Sequence, residues 1–258
     1  CPDCGSRALR LHGIGTEKVF NQLTKYFPNA NIERMDRDTT SRRGEYRRII
    51  SAMENGEIDI LVGTQMIAKG LDFSGVTLVG VVSADSIVNM PDFRSSERTF
   101  QLLTQVAGRA GRRETPGKVI VQTLSPTHPA VAHACAHEFE PFYEYELNMR
   151  RLGRFPPFTR MANCIVSSPD QDETKALAEK LYENFRQEIE LLNSSNYLGL
   201  LGPAEAPLFK LHAKYRWFVG ARAASLVDLV RVVSRATGRL ARDEQRLVSI
   251  DVMPVNMM

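Results

Sequence analysis

Gln105, Arg109 and Arg112 stand at i, i+4 and i+7 within the stretch QVAGRAGR. On a helix that spacing places them on one face. A guanidinium is permanently charged and meets phosphate oxygens through a planar fork, as stabilising a transferring phosphoryl group requires. Gly108 and Gly111 leave room for another surface to approach. A surface helix with scattered arginines would account for two arginines. It does not account for the glutamine, the two glycines and a second stretch, GTQMIAKGLDF at residues 63–73, which directly follows the apolar run IDILV. If IDILV is a strand of a parallel sheet, Thr64, Gln65, Lys69 and Asp72 open from its carboxyl end, where such sheets collect their ligands. The plainer readings are an N-cap for Thr64 and a surface turn for Asp72.

The elements that position these residues follow from the alternation of apolar runs with amphipathic stretches over residues 9–154. LRLHGIG, NIERMD, IDILVGT, VTLVGVV and KVIVQTL read as strands. TEKVFNQLTKYF, with Thr16 as N-cap, RGEYRRIISAMENG, ended by Gly56, and SSERTFQLLTQVAGRAG read as helices. Strands alternating with helices imply an α/β fold with a parallel sheet. FPPF at residues 155–158 interrupts the pattern, because paired prolines remove donors and fix the backbone, and the domain boundary is placed after Arg154. Beyond it lie MANCIVSS, a helix over about residues 173–192, the turn-rich LGLLGPAEAP, the strand RWFVGARA, a helix over 226–242 and RLVSIDV, the pattern of a smaller α/β sandwich.

Length and composition agree with two folded domains, since 258 residues exceed the roughly 150 of an average domain. The net charge of +3, from 33 basic and 30 acidic residues, is too small to point to nucleic acid, so any such surface must be local. SRRGEYRR, GRAGRR and ELNMRRLGR concentrate arginine, although a solvated helix face explains each equally well. Lys210, Lys214, Tyr215, Arg216 and Trp217 set cations beside aromatic rings, the pairing that tracks phosphates and stacks bases. The lone tryptophan reads first as core. No apolar run reaches the ~18 residues of a membrane span and the N-terminus lacks the charged and then apolar layout of a signal peptide, so a cytoplasmic location is expected.

Cys1 and Cys4 have the C-x-x-C spacing of a zinc knuckle, which supplies half of a tetrahedral site. The other ligands are expected from sequence before Cys1, and a start without methionine agrees with truncation. A redox pair is the competing reading, but no strand precedes it. His133 and His137, at i and i+4 with Cys135 between them, lack a third ligand nearby and read as surface or packing residues. No G-x-x-x-x-G-K-[ST] phosphate loop occurs, so the chain alone is not expected to hydrolyse ATP. The acidic pair Asp172 and Glu173 follows a turn, and Asp243 and Glu244 read as the end of a helix. Neither suits a magnesium-holding carboxylate, whereas Asp85 does end an apolar strand.

GTQMIAKGLDF resembles motif V, and QVAGRAGR motif VI, of superfamily-two helicases. Together with CPDCGS, GIGTEK, RMDRDTT, PDFRSSER, GKVIVQT, PPF, LGPAEAP and YRW in that family's order, the chain resembles the primosomal replication-restart helicases along essentially its whole length. The resemblance implies a partial zinc-binding knuckle at 1–8, a RecA-like second helicase lobe at 9–154 and a ribosomal-protein-like α/β domain at 155–258. It implies that Thr64 and Gln65 touch the nucleic-acid backbone and that Lys69, Gly70 and Asp72 couple this contact to the nucleotide. Arg109 and Arg112 would face the γ-phosphate with Gln105 as a further catalytic residue, while Lys214 and Arg216 contact single strands. ATP with Mg2+ and Zn2+ are the implied cofactors. Single-stranded and forked DNA, the single-strand DNA-binding protein, and primosome and helicase-loading proteins are the implied partners. The implied function is that of the carboxyl-terminal half of an ATP-dependent 3′ to 5′ DNA helicase in replication restart. The alternative is a noncatalytic DNA- and partner-binding adaptor with a degenerate motor lobe.

Overall fold

A computed structural model of the chain describes residues 15–36, 39–41, 44–64, 67, 75–108, 117–192 and 198–255. They fall into two units. The first holds the described residues through Met90 together with Ser96–Phe142, and the second holds Pro91–Ser95 and the chain from Tyr143 onward.

In the first unit the expected alternation is realised in two parallel strand pairs. Helix α1 (Thr16–Tyr26) leads into β1 (Ile32–Met35), and α2 (Glu45–Glu54) into β2 (Ile60–Gly63). β1 and β2 run parallel in register from Ile32↔Ile60 to Met35↔Gly63. Ile49 and Ala52, three apart on α2, turn inward and bury with Met35 and Ile58. β3 (Leu78–Val81) pairs in parallel with β4 (Lys118–Val121). Between them come the short α3 (Asp85–Val88) and α4 (Ser95–Ala107), and after β4 come α5 (Pro129–Ala136) and α6 (Phe139–Leu152). Phe100 and Leu103 of α4 bury against Val131 and Ala134 of α5. Phe100 also stacks on Phe142 with ring centroids 4.2 Å apart.

The division between the units falls inside α6, with Phe142 in the first and Tyr143 in the second, rather than at the prolines that follow this helix, where the sequence pattern breaks. The segment FPPF packs within the second unit, which also takes in Pro91–Ser95.

The second unit is an antiparallel sheet in the order β6-β7-β5-β8, built from β5 (Arg160–Ser168), β6 (Leu198–Leu211), β7 (Lys214–Ala223) and β8 (Val248–Val252). Helices α7 (Gln171–Leu192) and α8 (Leu226–Gly238) cover one face. Alternate residues Ala162, Cys164 and Val166 of β5 and Val219, Ala221 and Ala223 of β7 turn toward Leu181, Phe185, Leu229 and Val232 of these helices. Burial pushes the Cys164 thiol up to about 12, so it packs as an inert apolar group. Between the two helices the buried Glu188 carboxylate meets Arg239 at 2.5 Å. The short α9 (Arg242–Gln245) corrects one expectation. Asp243 and Glu244 begin this helix, with Glu244 accepting from the Ala241 amide at 2.9 Å and pairing with Lys180 at 2.7 Å. Among the described residues no helix is long and apolar enough to cross a membrane.

Gly63 is the tightest point of the first unit, because a Cβ there would collide with the Met35 carbonyl oxygen and the Ile67 side chain. Gly63→Ala is expected to destabilise the first unit by about 1–3 kcal/mol, as overpacking does. Gly80→Ala, with nothing near the added carbon, serves as the control and is expected to stay near wild type in a thermal melt.

Candidate nucleic-acid interface

The ends of β1 and β2 create the first half of the site. One residue past the final pair Met35↔Gly63 lie Asp36 and Thr64, side by side at the carboxyl edge. Thr64 is exposed and its carbonyl accepts from the Ile67 amide at 3.1 Å, so the chain turns immediately after the strand. Gln65, Lys69, Gly70 and Asp72 lie outside the described residues.

Asp36 is buried and organises this edge. Its carboxylate accepts from the Thr16 hydroxyl at 2.7 Å and the Thr39 amide at 3.0 Å, and lies 2.9 Å from Arg34 Nε. Its carbonyl accepts the Thr40 hydroxyl at 2.6 Å. Burial raises its pKa, but the hydrogen bonds from Thr16 and Thr39 and the charge of Arg34 outweigh it and hold the carboxyl below its ordinary value. Thr16 is therefore not the N-cap of α1. Gly15 occupies that position, and the Thr16 hydroxyl is spent tying the helix start to the end of β1.

Gln105 lies exposed in the last turn of α4, while Phe100, Leu103 and Val106 face the core. The helix ends at Ala107, and the Gly108 amide donates to the Thr104 carbonyl at 3.1 Å in the turn that follows. Arg109 and Arg112 lie outside the described residues. Asp85 serves the fold, since it accepts from the Thr123 hydroxyl and the Leu124 amide, both at 3.0 Å, and so fixes the exit of β4.

The second unit contributes a long β-arm. β6 and β7 continue past the core to a two-residue turn at His212 and Ala213, with φ of 50° and 62°. Beyond Glu205 the arm carries Lys210, His212, Lys214 and Arg216, and residues 206–217 contain no carboxylate. Lys214 is exposed at the tip, and Lys210 Nζ lies 4.3 Å from the Tyr215 ring centroid. Phe209 packs against the same ring at 5.4 Å. Arg216 is partly committed, donating to the Leu208 carbonyl at 3.3 Å.

Strand alternation separates the pairs that are contiguous in sequence. Lys214 and Arg216 point to one face of β7, while Tyr215 and Trp217 point to the face that carries Val219 and Ala221. Trp217 packs against the core, with Lys175 5.9 Å from its ring centroid, so it is a core residue rather than a stacking platform. The sequence pattern does not single out Phe209 and His212 of the arm, because a His-Ala turn lacks the Asn-Gly signal of such hairpins.

One arginine of each of two arginine-rich runs is committed to carboxylates. Arg48 meets Glu33 at 3.1 Å and Glu45 at 3.0 Å along a cleft of about 600 Å³ lined by Phe20, Arg34 and Ile49. Arg150 pairs with Glu146 at 2.9 Å. His133 and His137 do not form a helical i, i+4 pair, because His137 adopts a left-handed conformation at the end of α5 and His133 meets Glu138 at 2.8 Å. Among the described residues no cluster of three His, Cys, Asp or Glu side chains is arranged to hold a metal. Cys1 and Cys4 lie outside them.

With this geometry in view, similarity to known proteins defines the class first. Residues 12–114 match the helicase conserved C-terminal domain and residues 151–255 the primosomal protein N C-terminal domain. The chain is thus a RecA-like helicase lobe followed by a smaller α/β domain. It is 42% identical over 261 residues to the replication restart protein PriA of Bacillus subtilis (strain 168), covering 100% of this chain and 32% of that protein. It is 39% identical over 239 residues to replication restart protein PriA of Synechocystis, covering 91% of the chain and 28% of the relative. With that of Haemophilus influenzae it shares 36% over 258 residues, covering 100% and 35%. The chain belongs to the PriA family, and it spans about a third of the length of the curated relatives it matches.

Asp36 makes the first unit sensitive to acid. Its folded-state pKa is lowered, so its contribution is complete above the unfolded value near 3.8 and is lost as pH falls through the lower folded value. Chemical denaturation of the wild type is expected to show a steeper loss of stability below about pH 4 than Asp36→Asn, which has no proton to gain there. Parallel curves for the two proteins would contradict the assignment.

Proposed function

We propose that this chain is the second motor lobe and carboxyl-terminal domain of an ATP-dependent 3′ to 5′ DNA helicase that acts in replication restart and primosome assembly at stalled forks. The observation that carries the reading is whole-chain identity to replication restart proteins, extending through both units. Exposed Thr64 at the carboxyl edge of β2 and the carboxylate-free β-arm agree with it.

In this reading Thr64 and Gln65 hold the phosphodiester backbone, and Lys69, Gly70 and Asp72 relay that contact to the nucleotide. Arg109 and Arg112 face the γ-phosphate, with Gln105 beside them. Gln105 fits such a role because it is exposed and its helix is anchored through its opposite face. ATP with Mg2+ supplies the phosphoryl chemistry. This chain's share is charge and orientation, and the phosphate loop must come from the rest of the parent, since the sequence has none. Cys1 and Cys4 would hold Zn2+ with thiolates from elsewhere in the parent, because two ligands leave half the tetrahedron unfilled.

Lys214 and Arg216 form the phosphate-facing side of the arm, with Lys210 on the other face over the Tyr215 ring, and the missing carboxylates leave a local positive field. The partners that follow are single-stranded and forked DNA, the single-strand DNA-binding protein, and primosome and helicase-loading proteins, in the cytoplasm. The lack of a phosphate loop also favours a second reading, in which the chain is part of a noncatalytic adaptor that binds DNA and partners. Hydrolysis by the full-length parent separates the two.

In that parent, Arg112→Ala is expected to lower DNA-stimulated ATP turnover by on the order of 10³ to 10⁵, the worth of an arginine finger, with single-strand affinity retained. Arg112→Lys is expected to rescue poorly, since a point charge lacks the planar fork. Near-normal hydrolysis in the alanine variant would remove Arg112 from the site.

For the arm, replacing Lys214 and Arg216 together with glutamine should weaken single-strand binding by this chain. The slope of log affinity against log salt should fall by about 1.4, the counterion share of two phosphate contacts. An unchanged slope would place the contacts elsewhere.

A further inference from the structure

The run from residue 147 to residue 169 contains no carboxylate, yet it carries Arg150, Arg151, Arg154 and Arg160. The function above gives it no role. Two of these arginines are committed within the fold: Arg150 pairs with Glu146, and Arg160 donates to the Pro157 carbonyl at 3.1 Å. Arg151 differs. It is exposed, and its guanidinium lies over the Phe158 ring, 5.0 Å from the centroid, with Phe158 itself 38% exposed. A guanidinium laid on a phenyl offers charge to a phosphate and flat surface to a base.

The turn that presents this pair is fixed within the second unit. Arg222 of β7 donates to the Gly153 carbonyl at 2.5 Å and the Arg154 carbonyl at 3.3 Å, and its guanidinium lies 5.2 Å from the centre of the Phe155 ring. Phe155 in turn stacks on Phe93 at 4.9 Å, and the Thr159 hydroxyl donates to the Arg154 carbonyl at 2.8 Å. Gly153 permits the approach, since a Cβ there would come within 2.7 Å of the Phe155 ring.

Arg222 also assigns the turn to one face of the sheet. β5 and β7 pair without a bulge, so Lys214, Arg216, Phe218, Gly220 and Arg222 all point to the side of β7 away from α7 and α8. Lys214 and Arg216 are the phosphate-facing cations of the arm, and Arg222 stands about 26 Å along the strand from Lys214 at ~3.3 Å per residue. Between them the Phe218 ring leans over Gly220, where a Cβ would come within 2.6 Å of it. Among the described paired strand residues, the one carboxylate on this face is Asp251, two strands away on β8.

We propose that Arg151 and Phe158 form a second single-strand contact. One nucleic-acid strand is then held at both ends of this face, by Lys214 and Arg216 on the arm and by the Arg151–Phe158 pair on the turn over Arg222. The second contact rests on the nucleic-acid reading of the arm. Once the first contact has formed the second is intramolecular, which raises affinity only for a strand long enough to reach both.

Anisotropy titrations of this chain with thymidine oligomers of about 4 and about 20 nucleotides test it. The longer strand should bind at least about tenfold more tightly than the shorter. Phe158→Leu, which keeps apolar volume and removes the flat ring, should weaken binding of the longer strand by about tenfold with the salt slope unchanged, and Phe158→Tyr should stay near wild type. Arg151→Gln should weaken the longer strand as well and lower the salt slope by about 0.7, the share of one phosphate. Binding of the shorter strand, which the arm alone holds, should stay within about threefold in each variant. Thermal melts that match the wild type identify the folded variants. Unchanged affinity for the longer strand in folded Phe158→Leu and Arg151→Gln would overturn the second contact and leave the arm standing. A wild-type chain that binds neither strand would overturn both.

Discussion

Parallel pairing of β1 with β2 sends both strands out at one edge, and the geometry of the first unit follows from that constraint. The pairing delivers Asp36 and Thr64 to adjacent positions although they are 28 residues apart in the chain. It leaves a narrow gap at the last pair, which only a residue without a side chain can occupy, hence Gly63 opposite Met35. It also leaves a strand-end carboxylate next to the start of α1. Desolvating that carboxylate is tolerable only because Thr16, Thr39 and Arg34 converge on it. The polar network and the exposed Thr64 are two results of one strand pairing, the first holding the edge together and the second presenting it.

Much of this is legible in the residue pattern, because periodicity reports how a segment meets its own neighbours. NIERMD, IDILVGT, VTLVGVV and KVIVQTL all contain the strands read from them, and the helix starting at Ser95 begins where expected. What stays hidden depends on residues distant in sequence. The Thr16 hydroxyl is a good cap in isolation and is redirected because β1 brings a buried carboxylate within 2.7 Å. The start of α6 goes with the first unit through Phe142 stacking on Phe100, a contact outside any local window. PDFRS and FPPF are recognisable as motifs, but nothing in either tells that their phenyl rings are partners. For the candidate site, the sequence points to residue types along two loops, and the described structure locates Thr64, Gln105, Lys214 and Arg216 among them.

Charge is distributed by the same logic. A run of arginines is ambiguous until its acceptors are known, and among the described residues Arg48 and Arg150 have theirs. Arg48 answers Glu33 and Glu45, and Arg150 answers Glu146 and the Phe93 ring. Such pairs commit these two guanidiniums to the surface of the fold. The β-arm differs because its cations alternate with apolar and aromatic residues and residues 206–217 supply no carboxylate to neutralise them. A net charge of +3 thus coexists with one strongly biased projection.

The tip of that projection shows what the fold gives up to keep it. A two-residue turn joining twisted strands needs positive φ at both positions, which glycine or asparagine adopts at little cost. Here His212 and Ala213 adopt it at 50° and 62°. Residues held in this region carry strain of about 1 to 3 kcal/mol each unless the surroundings over-determine them. The surroundings do so only on one side: Phe209, Lys210 and Tyr215 clasp each other just below the turn, while His212, Ala213 and Lys214 are exposed. The turn is held by rings and alkyl chains beneath it, which leaves an imidazole and an ammonium facing outward at the end of an arm already rich in cations. A glycine pair would relieve the backbone and remove that imidazole. Within the nucleic-acid reading, strain at the tip is the counterpart of the polar edge at β1 and β2, since each departs from the locally easiest sequence where the chain meets its ligand.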